Sequence, residues 1–229
     1  MIEAIVTAAA ALGGAHAGPA LAVFGPLRRC VLPKRLSGIG RPGHVALTFD
    51  GGPDPQVTPE LLRVLGRHHV RATFFLLGEN VERHPAQARD IVGEGHEVGV
   101  LGHQHRLLLR RLPHAVAHDL SRATAAITAV TGRQPSWWRP PYGLASSTAL
   151  FQARCLGLTP VLWTCSAREW TRAAAPPAVS RPGLRGGGTI VVRDRDRGTL
   201  PEILRDCHAR GHVVGRLRDH GVPGAGAMP

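Results

Sequence analysis

Lysine is all but missing from this chain. Lys34 is the sole example, so nearly all of the 28 basic side chains are arginine, and the formal net charge of +12 rests on guanidinium. Those arginines are scattered and fall in no RNA- or DNA-binding motif, which argues against a specific nucleic-acid partner. A charge of this size still favours polyanionic surroundings, such as an anionic membrane or a cell-wall surface. Cysteine is scarce as well. Cys30, Cys155, Cys165 and Cys207 form no C-x-x-C pair, and their spacing gives neither a zinc ribbon nor a disulfide framework. They read as free thiols in a reducing compartment. No internal repeat or low-complexity tract interrupts the chain, and its apolar content is that of a globular protein.

What is present divides into three parts: an N-terminal apolar segment and linker over residues 1–40, one domain over 41–222, and a disordered tail, "PGAGAMP", over 223–229. Ala4 to Leu27 carries no formal charge, and Arg28 and Arg29 follow it. Its length suits a bilayer, but Gly13, Gly14, His16 and Pro19 make it a poor span, and Glu3 stands where a signal peptide would be basic. A helix or hairpin packed on the domain is one reading. The location expected is cytoplasmic, or membrane-associated through this segment.

Beyond the Gly/Pro-marked linker "LSGIGRPGH", strand-like and helix-like stretches alternate. "VALTFD", "ATFFLL", "HEVGV", "TPVLWT", "GTIVVRD" and "HVVGRL" read as strands. Thr58 with Pro59 and Glu60 suggests a helix start, Pro85 to Val92 a helix stopped by glycines, Val116 to Val130 a helix ended by Gly132, and Ala145–Leu156 and Leu200–Ala209 two more. The prolines of "SWWRPPYG" hold that stretch extended. Strands separated by helices imply parallel strands with crossovers, and so an α/β fold. Six or seven such units in one domain suggest a (β/α) barrel, with chemistry at the C-terminal strand ends. The candidates there are Asp50, Leu101 to His105, Arg139, Cys165 to Glu169, and Arg193.

Those segments, in order, are "TFDGGP", "ATFFLLGENVERHP", "GHEVGVLGHQH", "RPPYG", "LWTCSAREW" and "IVVRD". Together they resemble the polysaccharide deacetylase family, the NodB-homology carbohydrate esterases, from about Val45 to Leu217. The resemblance implies an irregular (β/α) barrel. It also implies a divalent metal on one aspartate and two histidines, a separate aspartate as general base, and a histidine as general acid. Asp50 matches the base, Arg139 the arginine that orients it, and His105 one metal histidine. Gly51 stands where the metal aspartate is expected, Leu101 at the other metal histidine, Arg193 at the general acid, and Ser166 at a carboxylate that tunes that acid. Tyr142, Trp170 and Val191 match substrate-binding positions, the last two as walls of an acetyl pocket.

One imidazole does not hold zinc specifically, and arginine does not shuttle protons at neutral pH. The expectation is a family member without normal metal-dependent activity and without a cofactor, retaining at most binding of acetylated carbohydrate. The alternative is an active carbohydrate deacetylase. It would use zinc or another divalent metal on a site rebuilt from Asp50, His103 and His105, or no metal at all. Plainer readings also exist. Asp50 would cap the following turn, His103 would face the pocket rim, and Cys165 would be a buried small hydrophobe rather than a nucleophile. "RDRDRG" would be a solvated loop, apart from Arg193, which could take a ligand carboxylate or phosphate or pair with Asp50.

Overall fold

A computed structural model describes residues 34–172 and 187–222. Its centre is a sheet of eight strands: β1 (His44–Asp50), β2 (Thr73–Leu77), β3 (Glu97–Gly102), β4 (Trp137–Trp138), β5 (Thr159–Pro160), β6 (Cys165–Ser166), β7 (Thr189–Arg193) and β8 (Val213–Gly215). Their order is β5-β4-β3-β2-β1-β7-β6, and every pairing is parallel. β8 pairs with residues 44–46 of β1, below the stretch that pairs with β2. The sheet curls into a half-barrel, in agreement with the barrel expected from the alternation of elements.

Besides a single helical turn at Lys34–Ser37, seven helices among the described residues cover its outer face and connect its strands: α1 (Val57–Arg67), α2 (Gly78–Arg83), α3 (Pro85–Gly93), α4 (Pro113–Thr131), α5 (Ser147–Cys155), α6 (Ala167–Arg172) and α7 (Leu200–Ala209). Strand side chains alternate between faces. Val45, Leu47 and Phe49 of β1, with Phe74, Leu76, Val98, Val100, Ile190 and Val192, pack outward against the helices in the main core. Ala46, Phe75, Leu77, Leu101, Trp137 and Val161 form a smaller apolar cluster of their own.

Local chemistry sets the element ends. Thr58 does not cap α1, as the sequence suggested. Asp54 does, its Oδ1 accepting from the Gln56 and Val57 amides at 2.8 Å, while Thr58 Oγ1 accepts from the Asp54 amide. Gly132 ends α4 in the left-handed region at φ 66°. Ser146 caps α5 by accepting from the Ala149 amide. β4 and β5 are only two residues long, shorter than "TPVLWT" suggested. Proline lacks the N–H a ladder needs, and Pro140, Pro141 and Pro160 fall there.

One expectation is corrected. Among the described residues no helix is long and apolar enough to cross a membrane. The segment at residues 4–27 lies outside the described residues, as does the tail at 223–229, so a location assigned through that segment has no support.

Candidate functional site

β1 and β7 run in register, with Asp50 beside Arg193, so both strands deliver their last inward-facing side chain to the same level. Asp50, Gly51, Gly52, Leu77, Asn80, Leu101, His105, Tyr142, Trp163, Arg193, Asp194 and Arg195 line a cleft of about 650 Å³ at these strand ends.

Arg139 stands behind the cleft and is fully buried. Its Nη1 donates to Asp50 Oδ1 at 2.7 Å and to Thr48 Oγ1 at 2.7 Å. Its Nε donates to the Val161 carbonyl at 3.3 Å and its Nη2 to the Leu162 carbonyl at 2.9 Å. The guanidinium also lies 4.1 Å over the Phe75 ring. Burial lowers the Arg139 pKa from its ordinary value, and the Asp50 charge opposes that. The ion pair expected from "TFD" and "RPPY" is therefore present, and it fixes one oxygen of Asp50.

His105 follows β3 and faces Asp50 and Arg193. Partial desolvation lowers its pKa from the ordinary value, with Asp50 opposing and Arg193 adding to the effect. Its ring centroid lies 4.4 Å from that of Tyr142, whose hydroxyl donates to the His105 carbonyl at 3.2 Å. Tyr142 adopts φ 61° and leaves 55% of its surface exposed at the cleft mouth. A bulky non-glycine residue held there marks local backbone strain.

The remaining metal positions do not supply donors. Gly51 has φ 117°, and a Cβ built on it would sit 3.1 Å from Asp194 Oδ2. The carboxylate after β7 thus occupies the direction in which a side chain at position 51 would point. Burial raises the Asp194 pKa, with help from Asp54 and Asp50 and against Arg197. Leu101 is buried in the apolar cluster with Phe75 and Trp137. His103 neither joins Asp50 and His105 nor reaches the pocket rim, both of which the sequence had suggested. It is buried on the helix side, its amide donating to Asp119 Oδ2 at 3.0 Å and its Nε2 3.9 Å from Glu82 Oε2. Among the described residues no group of three or more His, Cys, Asp or Glu side chains could hold a metal ion. The donors at this cleft are His105, Asp50, which is already tied to Arg139, and Asp194 against Gly51, and they do not converge as the three-ligand set of a catalytic divalent metal.

Other expected positions also differ. Ser166 and Glu169 form a reciprocal capping box at the start of α6. The Ser166 amide donates to Glu169 Oε2 at 2.7 Å, and the Glu169 amide donates to Ser166 Oγ at 3.3 Å. The pattern S-x-x-E in "SARE" is legible as this cap, although resemblance alone read it as a catalytic remnant. Cys165 is buried in the main core. Trp170 and Val191 do not line the cleft. Trp170 is buried under α7, its indole N–H donating to Asp206 Oδ2 at 3.2 Å. Val191 shares a strand face with Arg193 but lies two residues, roughly 6–7 Å, deeper. Asn80 and Asp194 join the lining without any sequence signal that singled them out.

Curled parallel strands with a cleft at their C-terminal ends define a (β/α)-barrel type of protein. Residues 38–161 match the polysaccharide deacetylase family, and the chain belongs to that family. It is 37% identical over 166 residues to a chitooligosaccharide deacetylase of Bradyrhizobium, spanning 71% of this chain and 74% of that one. Among solved structures it resembles a family 4 carbohydrate esterase from Streptomyces lividans, with TM-score 0.67 and 28% identity over 82% of this chain and 99% of that one. It also shares its fold with a family 4 pseudoenzyme from Bacillus anthracis, with TM-score 0.70 and 23% identity over 78% and 65% of the two chains.

Proposed function

We propose that the cleft binds acetylated carbohydrate without carrying out the metal-assisted hydrolysis for which its fold is suited. The observation that carries this reading is the donor set. His105 alone remains of the three expected ligands, while Asp194 crowds Gly51 and Leu101 is packed in apolar surroundings. Without a Lewis acid to polarise the acetyl carbonyl and activate water, the barrier rises by several kcal/mol, which is several orders of magnitude in rate. Arg193 adds a second obstacle, since its pKa leaves no proton to give at neutral pH. The carbohydrate class follows from the relatives named as chitooligosaccharide deacetylases. Asp50, held from behind by Arg139, acts here as a polar wall of the binding cleft, with His105, Tyr142 and Trp163 beside it.

A second reading keeps some activity. The Asp50–Arg139 pair is intact, and a carboxylate so oriented is able to accept a proton from water. Untagged protein dialysed against zinc, cobalt or nickel and then analysed for metal should hold well below one equivalent. The same protein should release no acetate from N-acetylglucosamine oligomers above a buffer blank. One tightly held equivalent of metal together with acetate release would overturn the first reading in favour of the second.

A further inference from the structure

The charges of the cleft are unevenly settled. Asp50 is bound to Arg139. Arg197, further along the same loop, pairs with Glu60 at 2.8 Å, and Arg195 lies 3.8 Å from Asp196. Asp194 points at Gly51, beside the carboxylates of Asp54 and Asp50, and its raised pKa weakens it as a counter-ion. Arg193 differs. Its guanidinium lies 5.5 Å over the Trp163 ring, and among the described residues no carboxylate comes within ion-pair distance of it. The pair with Asp50 that the sequence allowed is not formed, even though the two residues are register partners. Stacking on an aromatic face leaves the N–H edge of a guanidinium available, and that edge matches a carboxylate in two parallel hydrogen bonds. Tyr142 offers an exposed ring at the mouth, suited to the apolar face of a sugar.

Resting on the carbohydrate-binding reading above, we infer that the cleft selects an anionic saccharide, a sugar bearing a carboxylate that seats on Arg193, over a neutral acetylated one. The substitution that removes the general acid thereby installs a fixed positive charge at the floor of the site. The anion is recognised through the planar fork rather than through bulk charge, so Arg193 outranks its neighbour Arg195.

The test is calorimetric titration of the full chain at low salt with tri-galacturonate, with neutral tri-N-acetylchitotriose, and with sodium acetate and inorganic phosphate as free anions. The carboxylate trisaccharide should bind at least about tenfold more tightly than the neutral one, the worth of one good charge-assisted contact, and salt should erode the difference. Arg193→Gln should bring the ratio of the two affinities to about one, Arg193→Lys should keep part of it, and Arg195→Gln should change it less, with thermal melting used to check that each variant folds. Equal affinity for both trisaccharides would overturn the inference and leave the carbohydrate-binding reading standing. No binding of any saccharide would overturn both. A preference untouched by Arg193→Gln would remove the assignment to that residue. Free acetate or phosphate binding as tightly as the trisaccharide would make the site one for small anions rather than sugars.

Discussion

Gly51 sits where little but glycine fits. Its backbone sits at φ 117°, where side chains other than glycine's are strained, and Asp194 Oδ2 lies 3.1 Å from the place of its missing Cβ. Gly51→Asp should therefore lower the unfolding free energy by about 1–3 kcal/mol, from backbone strain and from a second carboxylate forced against the first. Adding Asp194→Ala should recover part of that loss, and urea denaturation of the two variants and the parent measures it. No loss in Gly51→Asp would mean that the loop relaxes freely and that the metal donors could be put back one at a time. The sequence identified Gly51, Leu101 and Arg193 as departures because each stands in a recognisable motif. It did not reveal Asp194 or Asn80, whose places in the cleft depend on where side chains point from β7 and α2. His103 was misjudged for the same reason. Position two before His105 suggests a shared face only if the backbone stays extended, and residues 103–105 leave the strand.

Among the elements, the most informative place is the break in the sheet between β5 and β6, which share no ladder. The chain between them is tied to the middle of the sheet by Arg139, which donates to the carbonyls of Val161 and Leu162 in the β5–β6 connection and to Thr48 and Asp50 of β1. A guanidinium has five donors in a fixed plane, and the four hydrogen bonds here use all three of its nitrogens. Arg139→Leu should cost about 3–5 kcal/mol of stability, since it strands a buried carboxylate and leaves two carbonyls without this donor. Equilibrium denaturation reads this directly, and a loss below about 1 kcal/mol would mean that water replaces the guanidinium. Much of the element pattern was legible beforehand, because crossover helices with glycine stops and buried apolar strands carry strong local signals. α7 matches residue for residue. β5 was overestimated because Pro160 cuts its ladder, and β6 was missed because a two-residue strand leaves no periodic pattern.

At the scale of the whole molecule, the end of the half-barrel opposite the cleft is held by buried histidines. His220 Nε2 donates to the Gly187 carbonyl at 3.0 Å, so its Nδ1 accepts from His44 Nδ1 at 2.9 Å. His96 Nδ1 accepts from the Ala72 amide at 3.1 Å, which also requires a neutral ring. Burial pushes the pKa values of His96 and His220 down to about 4, with Arg71 and Arg216 adding to the first and His44 to the second, and burial lowers His44 too. Unfolded histidines take up protons near 6.5. Between pH 6.5 and 4 the unfolded chain therefore binds more protons than the folded one, and stability falls as pH falls through that window. Each of the two lowest rings contributes a loss on the order of 2–3 kcal/mol by pH 4, and nothing above about pH 7.5. The urea midpoint should be level from pH 7.5 to 9 and drop steeply from 6.5 to 4.5, with the drop reduced in His96→Gln. A midpoint indifferent to pH below 6.5 would contradict the buried neutral rings.

The bridging arginine carries one more consequence. Because the guanidinium that holds Asp50 also ties the β5–β6 connection to β1, its removal would disturb the architecture whatever the site does. An acid and a guanidinium surviving together in such a barrel are then no witness to turnover, since architecture alone is reason enough to keep them.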